Sequence, residues 1–161
     1  MDRENNDSRD AIGSRPLHRQ PSARTAAFSD FTKTASAEVV QLQQSLEQRF
    51  EGLTLWLTYF SDSNILRINA ISFPKDKRKQ GAGSQVMTEI VAWADSHNAI
   101  LSLSPSKDFG ASSVKRLERF YRRFGFKPNK GRNKDFRTRD TMLRYPATTR
   151  VASLIYRYRR R

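Results

Sequence analysis

Hydrophobic positions along this chain change period several times, and each change marks an element. Val39, Leu42, Leu46 and Phe50 recur every three or four residues. That spacing predicts a helix over about 36–51, with Ser36 as cap and Gly52 as stop. Leu53, Leu55, Leu57 and Tyr59 then alternate with Thr54, Trp56, Thr58 and Phe60, the period of a strand with both faces partly covered. Ser61-Asp62-Ser63-Asn64 is a turn cluster, so 53–60 and 65–73 should pair as an antiparallel hairpin. Pro74 has no N–H to give a ladder and should end the second strand.

Downstream, Val86, Met87, Ile90, Val91 and Ala94 form the apolar stripe of a helix over about 81–97. A short apolar strand, 99–103, stops at Ser104-Pro105. Leu117, Phe120, Tyr121 and Phe124 predict a further helix at about 112–124, capped by Ser112 or Ser113 and ended by Gly125. The polar run 127–140 reads as a loop with weak strand potential, and 141–145 as a closing strand. The first 30 residues carry almost no large apolar side chains and cannot offset the entropy of ordering. The expected organisation is therefore a disordered arm at 1–30, one α/β (α+β) domain at 31–146 and a basic tail at 147–161.

Composition restricts the chemistry. The 161 residues contain no cysteine and only two histidines, His18 and His97. Disulfide scaffolds, thiol nucleophiles and Cys- or His-rich metal sites are excluded, so no metal is expected. No apolar run approaches the length of a membrane span and none resembles a signal-peptide core, so a cytoplasmic protein without a membrane partner is expected. The net charge of +14 is uneven: residues 1–30 balance five Arg against five acids, whereas 115–139 hold 11 Lys/Arg and two acids. Such a field favours polyanions.

The segment 65–98 joins a strand to a helix through Arg78-Lys79-Gln80-Gly81-Ala82-Gly83. It is not a Walker loop, since no Gly-Lys-Ser/Thr follows a four-residue gap. It is not a dinucleotide fingerprint either, because Val86 stands where the third glycine would. What remains is an Arg-x-x-Gly-x-Gly turn. Its glycines let successive N–H groups face one anion, while Arg78, Lys79 and the helix dipole add positive potential.

Taken in order, the helix, hairpin, glycine turn, helix, short strand and the ending Phe120-Tyr121-Arg122-Arg123-Phe124-Gly125-Phe126 resemble the GNAT family, the Gcn5-related N-acetyltransferases, over about residues 36–145. The run 105–110 followed by 116–121 is most similar to bacteriophage and prophage members, which would place the protein in a host cytoplasm. The resemblance implies a single domain whose mixed, mostly antiparallel sheet, flanked by helices, splays open around acetyl-CoA. It implies that the backbone of Ile71, Ser72 and Phe73 receives the pantetheine arm. The amides of Arg78, Lys79, Gln80, Gly81, Ala82, Gly83 and Ser84 would receive the pyrophosphate. An amine would attack the thioester directly in a ternary complex, with no covalent enzyme intermediate. Tyr121 falls where the family places its general acid; the alternative for it is packing in the aromatic stripe.

Two departures accompany this. The strand 65–73 has no carboxylate, its polar positions being Arg67, Asn69 and Ser72, so Asn69 or Ser72 would hold a water as proton acceptor. Asp108 is the nearest carboxylate and also suits a turn with Lys107. The last helix lacks the family's usual asparagine; Val114 stands about there, and Ser112 or Ser113 would substitute. The acceptor stays open: an amine on a protein, on a small molecule, or on tRNA or DNA, the last favoured by the basic 115–139. A non-enzymatic alternative is a nucleic-acid-binding protein on a catalytically weak scaffold, using basic residues beside aromatics such as Phe120-Tyr121-Arg122-Arg123 and Tyr156-Arg157-Tyr158-Arg159.

Overall fold

The computed structural model describes residues 23–78, 80–108 and 110–147, with 23–33 known by backbone alone. The elements are α1 (Ala23–Arg49), β1 (Thr54–Phe60), β2 (Ile65–Ser72), α2 (Ala82–Ser96), β3 (Ile100–Leu103), α3 (Val114–Arg122), β4 (Lys127–Pro128) and β5 (Met142–Arg144). One five-stranded sheet has the order β1-β2-β3-β5-β4. It is mixed: β2 and β3 run parallel, while β1–β2, β3–β5 and β4–β5 are antiparallel.

The hairpin forms as its pattern predicts, with Phe60 opposite Ile65 and Thr54 opposite Ser72. Asn64 turns the chain at φ 51, and its amide donates to the Ser61 carbonyl. One expectation fails on β1. Trp56 is 60% exposed, so its face is open to solvent while Leu55 and Leu57 fill the core. The outer edge of β1 is nevertheless satisfied, because the Leu55 and Leu57 amides donate to the Glu47 and Gln43 side chains of α1. Edge amides met by side chains cannot pair with another strand.

α1 begins at Ala23, not near 36, so Ser36 is an interior residue rather than a cap and the end of the expected arm is helical. Ala23, Arg24, Ala26 and Ala27 are good helix formers, and they extend the helix without adding an apolar stripe that a periodicity reading would detect. The rest of the arm, and the tail with its Tyr156–Arg159 run, lie outside the described residues. Gly52 does stop the chain after α1, at φ +79; a Cβ there would meet Pro74 Cγ at 2.9 Å. Both the conformation and the space exclude a side chain.

α2 buries Val86, Met87, Ile90 and Ala94 against the sheet. Asn98, at φ 51, closes it as a left-handed residue, with the Ala99 amide reaching back to the Ala94 carbonyl. Arg144 on β5 ties the end of α2 to the sheet. Its guanidinium grips both Asp95 oxygens, at 2.8 and 2.7 Å, while its Nε donates to the Phe124 carbonyl at 2.8 Å. The main apolar cluster runs from Val39 and Leu46 through Leu66, Ile90 and Leu101 to Tyr121 and Phe126, and a smaller one joins Ile65, Ile100 and Leu143. Among the described residues no helix is long and apolar enough to cross a membrane.

Candidate active site

The β2–β3 register runs from Ile65 opposite Ile100 to Ile68 opposite Leu103, and there β3 ends. β2 continues to Ser72, paired only with β1 on its other side. The peptide groups of Asn69 to Ser72 that face β3's side have therefore lost their strand neighbour. A bulge marks the same point: Trp56 lies opposite Ala70 and Leu57 opposite Ile68, so Asn69 is the extra residue. Its side-chain amide donates to Thr58 Oγ1 at 2.8 Å.

The gap opens into a cavity of about 1040 Å³. Residues 68–73 of β2 form one wall, and Leu103, Ser104, Pro105 and Ser106 form the opposite one. The start of α2 (Gly81, Ala82, Gly83, Ser84) closes one end, and α3 with Ser112 and Ser113 closes another. At the α2 terminus Gly81 stands at φ 84, and its carbonyl accepts from the Ser84 and Gln85 amides. That left-handed turn leaves the Gly81, Ala82 and Gly83 amides with no hydrogen bond to a described residue. Free N–H groups at a helix start attract an anion.

The electrostatics of the lining point the same way. Among the described residues Lys77, Arg78, Arg116, Arg119 and Arg123 border the cavity, and no Asp or Glu does. Arg116, Arg119 and Arg123 share one face of α3 by their spacing of three and four, and Arg123 lies over the Phe120 ring at 5.0 Å. Tyr121 comes from the same helix. It is 6% exposed, packs edge-on against Phe120 and Phe126, and still borders the cavity. Burial alone pushes its phenol up to about 12, and no charged neighbour or hydrogen bond contributes. The hydroxyl thus stays protonated well above neutral pH.

The expected site residues divide clearly. Ile71, Ser72, Phe73, Arg78, Gly81, Ala82, Gly83, Ser84, Ser113 and Tyr121 all border the one cavity. Gln80 does not; its side chain turns to the Asp76 carbonyl at 3.4 Å. Lys79 lies outside the described residues. Arg78 reaches the site in a different capacity from a simple phosphate contact. Its Nε donates to the Phe73 carbonyl at 2.7 Å and its Nη1 to the Gly110 carbonyl at 2.6 Å, pinning the end of β2 to the loop before α3. The Phe73 carbonyl is therefore already engaged. Ser113 starts α3 from an extended conformation without a side-chain capping bond, so its hydroxyl is not spent on the helix. Asp108 stays away from the cavity and accepts from the Ser106 hydroxyl in a local turn.

Lys77, Ser104, Ser106, Arg116 and Arg119 border the cavity without having been singled out from the sequence as site residues, and so does Arg123, singled out there only as a base-stacking neighbour of aromatics. The arginine stripe was legible as a 3–4 spacing inside a run that reads only as bulk charge. Among the described residues no three His, Cys, Asp or Glu side chains converge as metal ligands. Compared with known proteins, the chain matches no family model and no curated sequence.

Proposed function

We propose that this protein is an acetyl-CoA-dependent N-acetyltransferase of the GNAT type, acting on a primary amine. The observation that carries the reading is a juxtaposition. A strand that has lost its neighbour runs beside a helix start whose amides bond to no described residue, in a cavity walled, among the described residues, by five cations and no carboxylate. The two halves suit the two halves of a phosphorylated thioester carrier. An extended amide-bearing arm can add to the open side of β2 as a strand would. A diphosphate suits the amides of Gly81, Ala82 and Gly83, with Arg116, Arg119 and Arg123 available for further phosphate charge.

Bound acetyl-CoA would supply the activated acetyl group, and the chain's own residues would position it and manage protons. The amine nitrogen bonds to the thioester carbon, the carbon–sulfur bond breaks, and the sulfur gains a proton as the nitrogen loses one. Tyr121 is suited to the first proton, because a phenol held near 12 does not ionise beforehand and the residue borders the cavity. No carboxylate is at hand for the second. Asn69, Ser72 and Ser104 border the cavity and can hold a water that carries it away.

The missing carboxylate also favours a second reading, a polyanion-binding protein on a catalytically weak scaffold. Incubation with radiolabelled acetyl-CoA and a panel of amines (charged tRNA, polyamines, basic peptides) separates the two. Acetylated product supports the enzyme; a ligand-induced rise in melting temperature without product supports the weak scaffold. No rise at saturating acetyl-CoA removes the enzyme, since a ligand of the native state must stabilise it, and no rise with tRNA removes the polyanion reading in the same way.

A further inference from the structure

The loop between β4 and β5 carries a feature that the cavity does not use. Phe136 is 84% exposed, the most exposed of the large apolar side chains among the described residues. It is not on a slack segment. Asn129, only 8% exposed, donates from Nδ2 to the Asp135 and Asp140 carbonyls at 3.1 and 3.0 Å, and its Oδ1 accepts from the Asp135 amide at 2.7 Å. On the other flank, Asp140 is buried and accepts from Thr138, Ser104 and Arg67 at 3.0, 3.0 and 2.8 Å. The backbone on both sides of Phe136 is therefore held, and its ring is presented outward from a fixed base.

The surroundings of that ring are cationic. Lys127, Lys130, Arg132, Lys134, Arg137 and Arg139 are all exposed, and Lys134 Nζ sits 5.3 Å from the Phe136 ring centre. The loop's half-buried acid is neutralised, since Asp135 takes a bidentate contact from Arg137 and a hydrogen bond from the Tyr145 hydroxyl at 2.8 Å. Those contacts also hold its carboxyl far below the usual range. Tyr145, 39% exposed, is thereby tied through its hydroxyl to the residue that precedes Phe136.

We propose that this loop docks single-stranded nucleic acid, with phosphates on its cations and an unpaired base stacked on Phe136. An exposed ring on a loop with five cations besides the paired Arg137 matches such a strand, which offers regularly spaced negative charge and a π-face beside each charge. A lipid surface fits less well: residues 127–140 hold no Leu, Ile, Val, Met or Trp to enter the acyl region. Because the loop is already braced, little ordering cost opposes binding. This surface is separate from the cavity and does not rest on acetyl-CoA binding.

The test measures anisotropy of a fluorescein-labelled oligodeoxythymidylate of roughly 12 nucleotides, a length within the span such surfaces cover, across a salt series. Phe136→Ala should weaken binding about tenfold, the effect of losing one stacked base, with an unchanged salt slope, and Phe136→Trp should retain affinity. Arg132→Glu combined with Lys134→Glu should flatten the salt slope, because phosphate contacts set it. Trp56→Ala, on the opposite sheet edge, should change nothing. The proposal is overturned if Phe136→Ala binds within twofold of the parent, or if Trp56→Ala weakens binding as much. It is also overturned if a duplex of equal charge binds as tightly, or if only anionic phosphatidylserine vesicles show dependence on Phe136.

Discussion

Gly83→Asp should raise the stability of the free protein while abolishing cofactor binding. A Cβ at Gly83 would lie 3.8 Å from Phe120 Cζ and 4.0 Å from Phe73 Cε2, ordinary contact distances, so the side chain enters without displacing its neighbours. The position is in the first turn of α2. Replacing helical glycine recovers ~0.5–1 kcal/mol of backbone entropy, and a carboxylate near a helix start adds ~0.3–1 kcal/mol. The free variant should therefore be more stable by about 1 kcal/mol. A diphosphate on the same amides would meet that carboxylate at ~5 Å. At an effective dielectric of ~20 the repulsion is about 3 kcal/mol, or on the order of a hundredfold in affinity. Thermal melts with and without acetyl-CoA read both signs. At ligand one hundred times the parent's dissociation constant, the parent gains ~2.7 kcal/mol and the variant only ~0.4 kcal/mol. An undiminished ligand shift in the variant would refute the anion cradle; a fall in the free protein's melting point would show that Gly83 serves packing instead.

Further outcomes follow from the same contacts. Tyr121→Phe should slow acetyl transfer at least tenfold with the affinity for CoA changed less than twofold, checked by single-turnover rates and calorimetry; equal loss of both would mean the ring only packs. The Tyr121 phenol is raised to about 12 in the folded protein against 10.0 unfolded. Below pH 10 both states keep the proton and nothing is lost. Between pH 10 and 12 only the unfolded chain ionises, so stability should fall by roughly 2–3 kcal/mol, and urea midpoints of Tyr121→Phe should lack that component. Arg144→Ala would take from Asp95 its bidentate partner, a guanidinium side chain only 7% exposed, while the Ala147 amide still donates to it at 2.8 Å. Denaturant unfolding should show a loss of about 3–5 kcal/mol, and a loss below ~1 kcal/mol would mean that water compensates.

Most of the sheet was readable from periodicity. The 53–60/65–72 hairpin and the stripe of α2 announce themselves because alternate or every-third residues are apolar and their partners lie close in sequence. What could not be read depends on polar residues acting at a distance. Asn129 and Asp140 sit in a run that looks like solvated loop, yet both are buried and organise it. β4 is two residues long and carries no period at all. The pattern put Arg144 inside a strand over 141–145, but its bond to Asp95 spans 49 positions. The candidate site shows the same divide. The glycine turn was local and legible, whereas the tie from Arg78 to Gly110 and the bordering role of Arg116 and Arg119 required the fold to bring separate segments together.

The meeting of Gln43 and Glu47 with the amides of Leu57 and Leu55 has a practical corollary for anyone trimming the polypeptide. Removing α1 would uncover a row of peptide donors along an already hydrophobic ribbon, turning the sheet's margin into a seed for stacking between molecules. Shortened versions meant to stay monodisperse should keep everything from Ala35 onward, however dispensable that leading helix looks beside the half that holds the cavity.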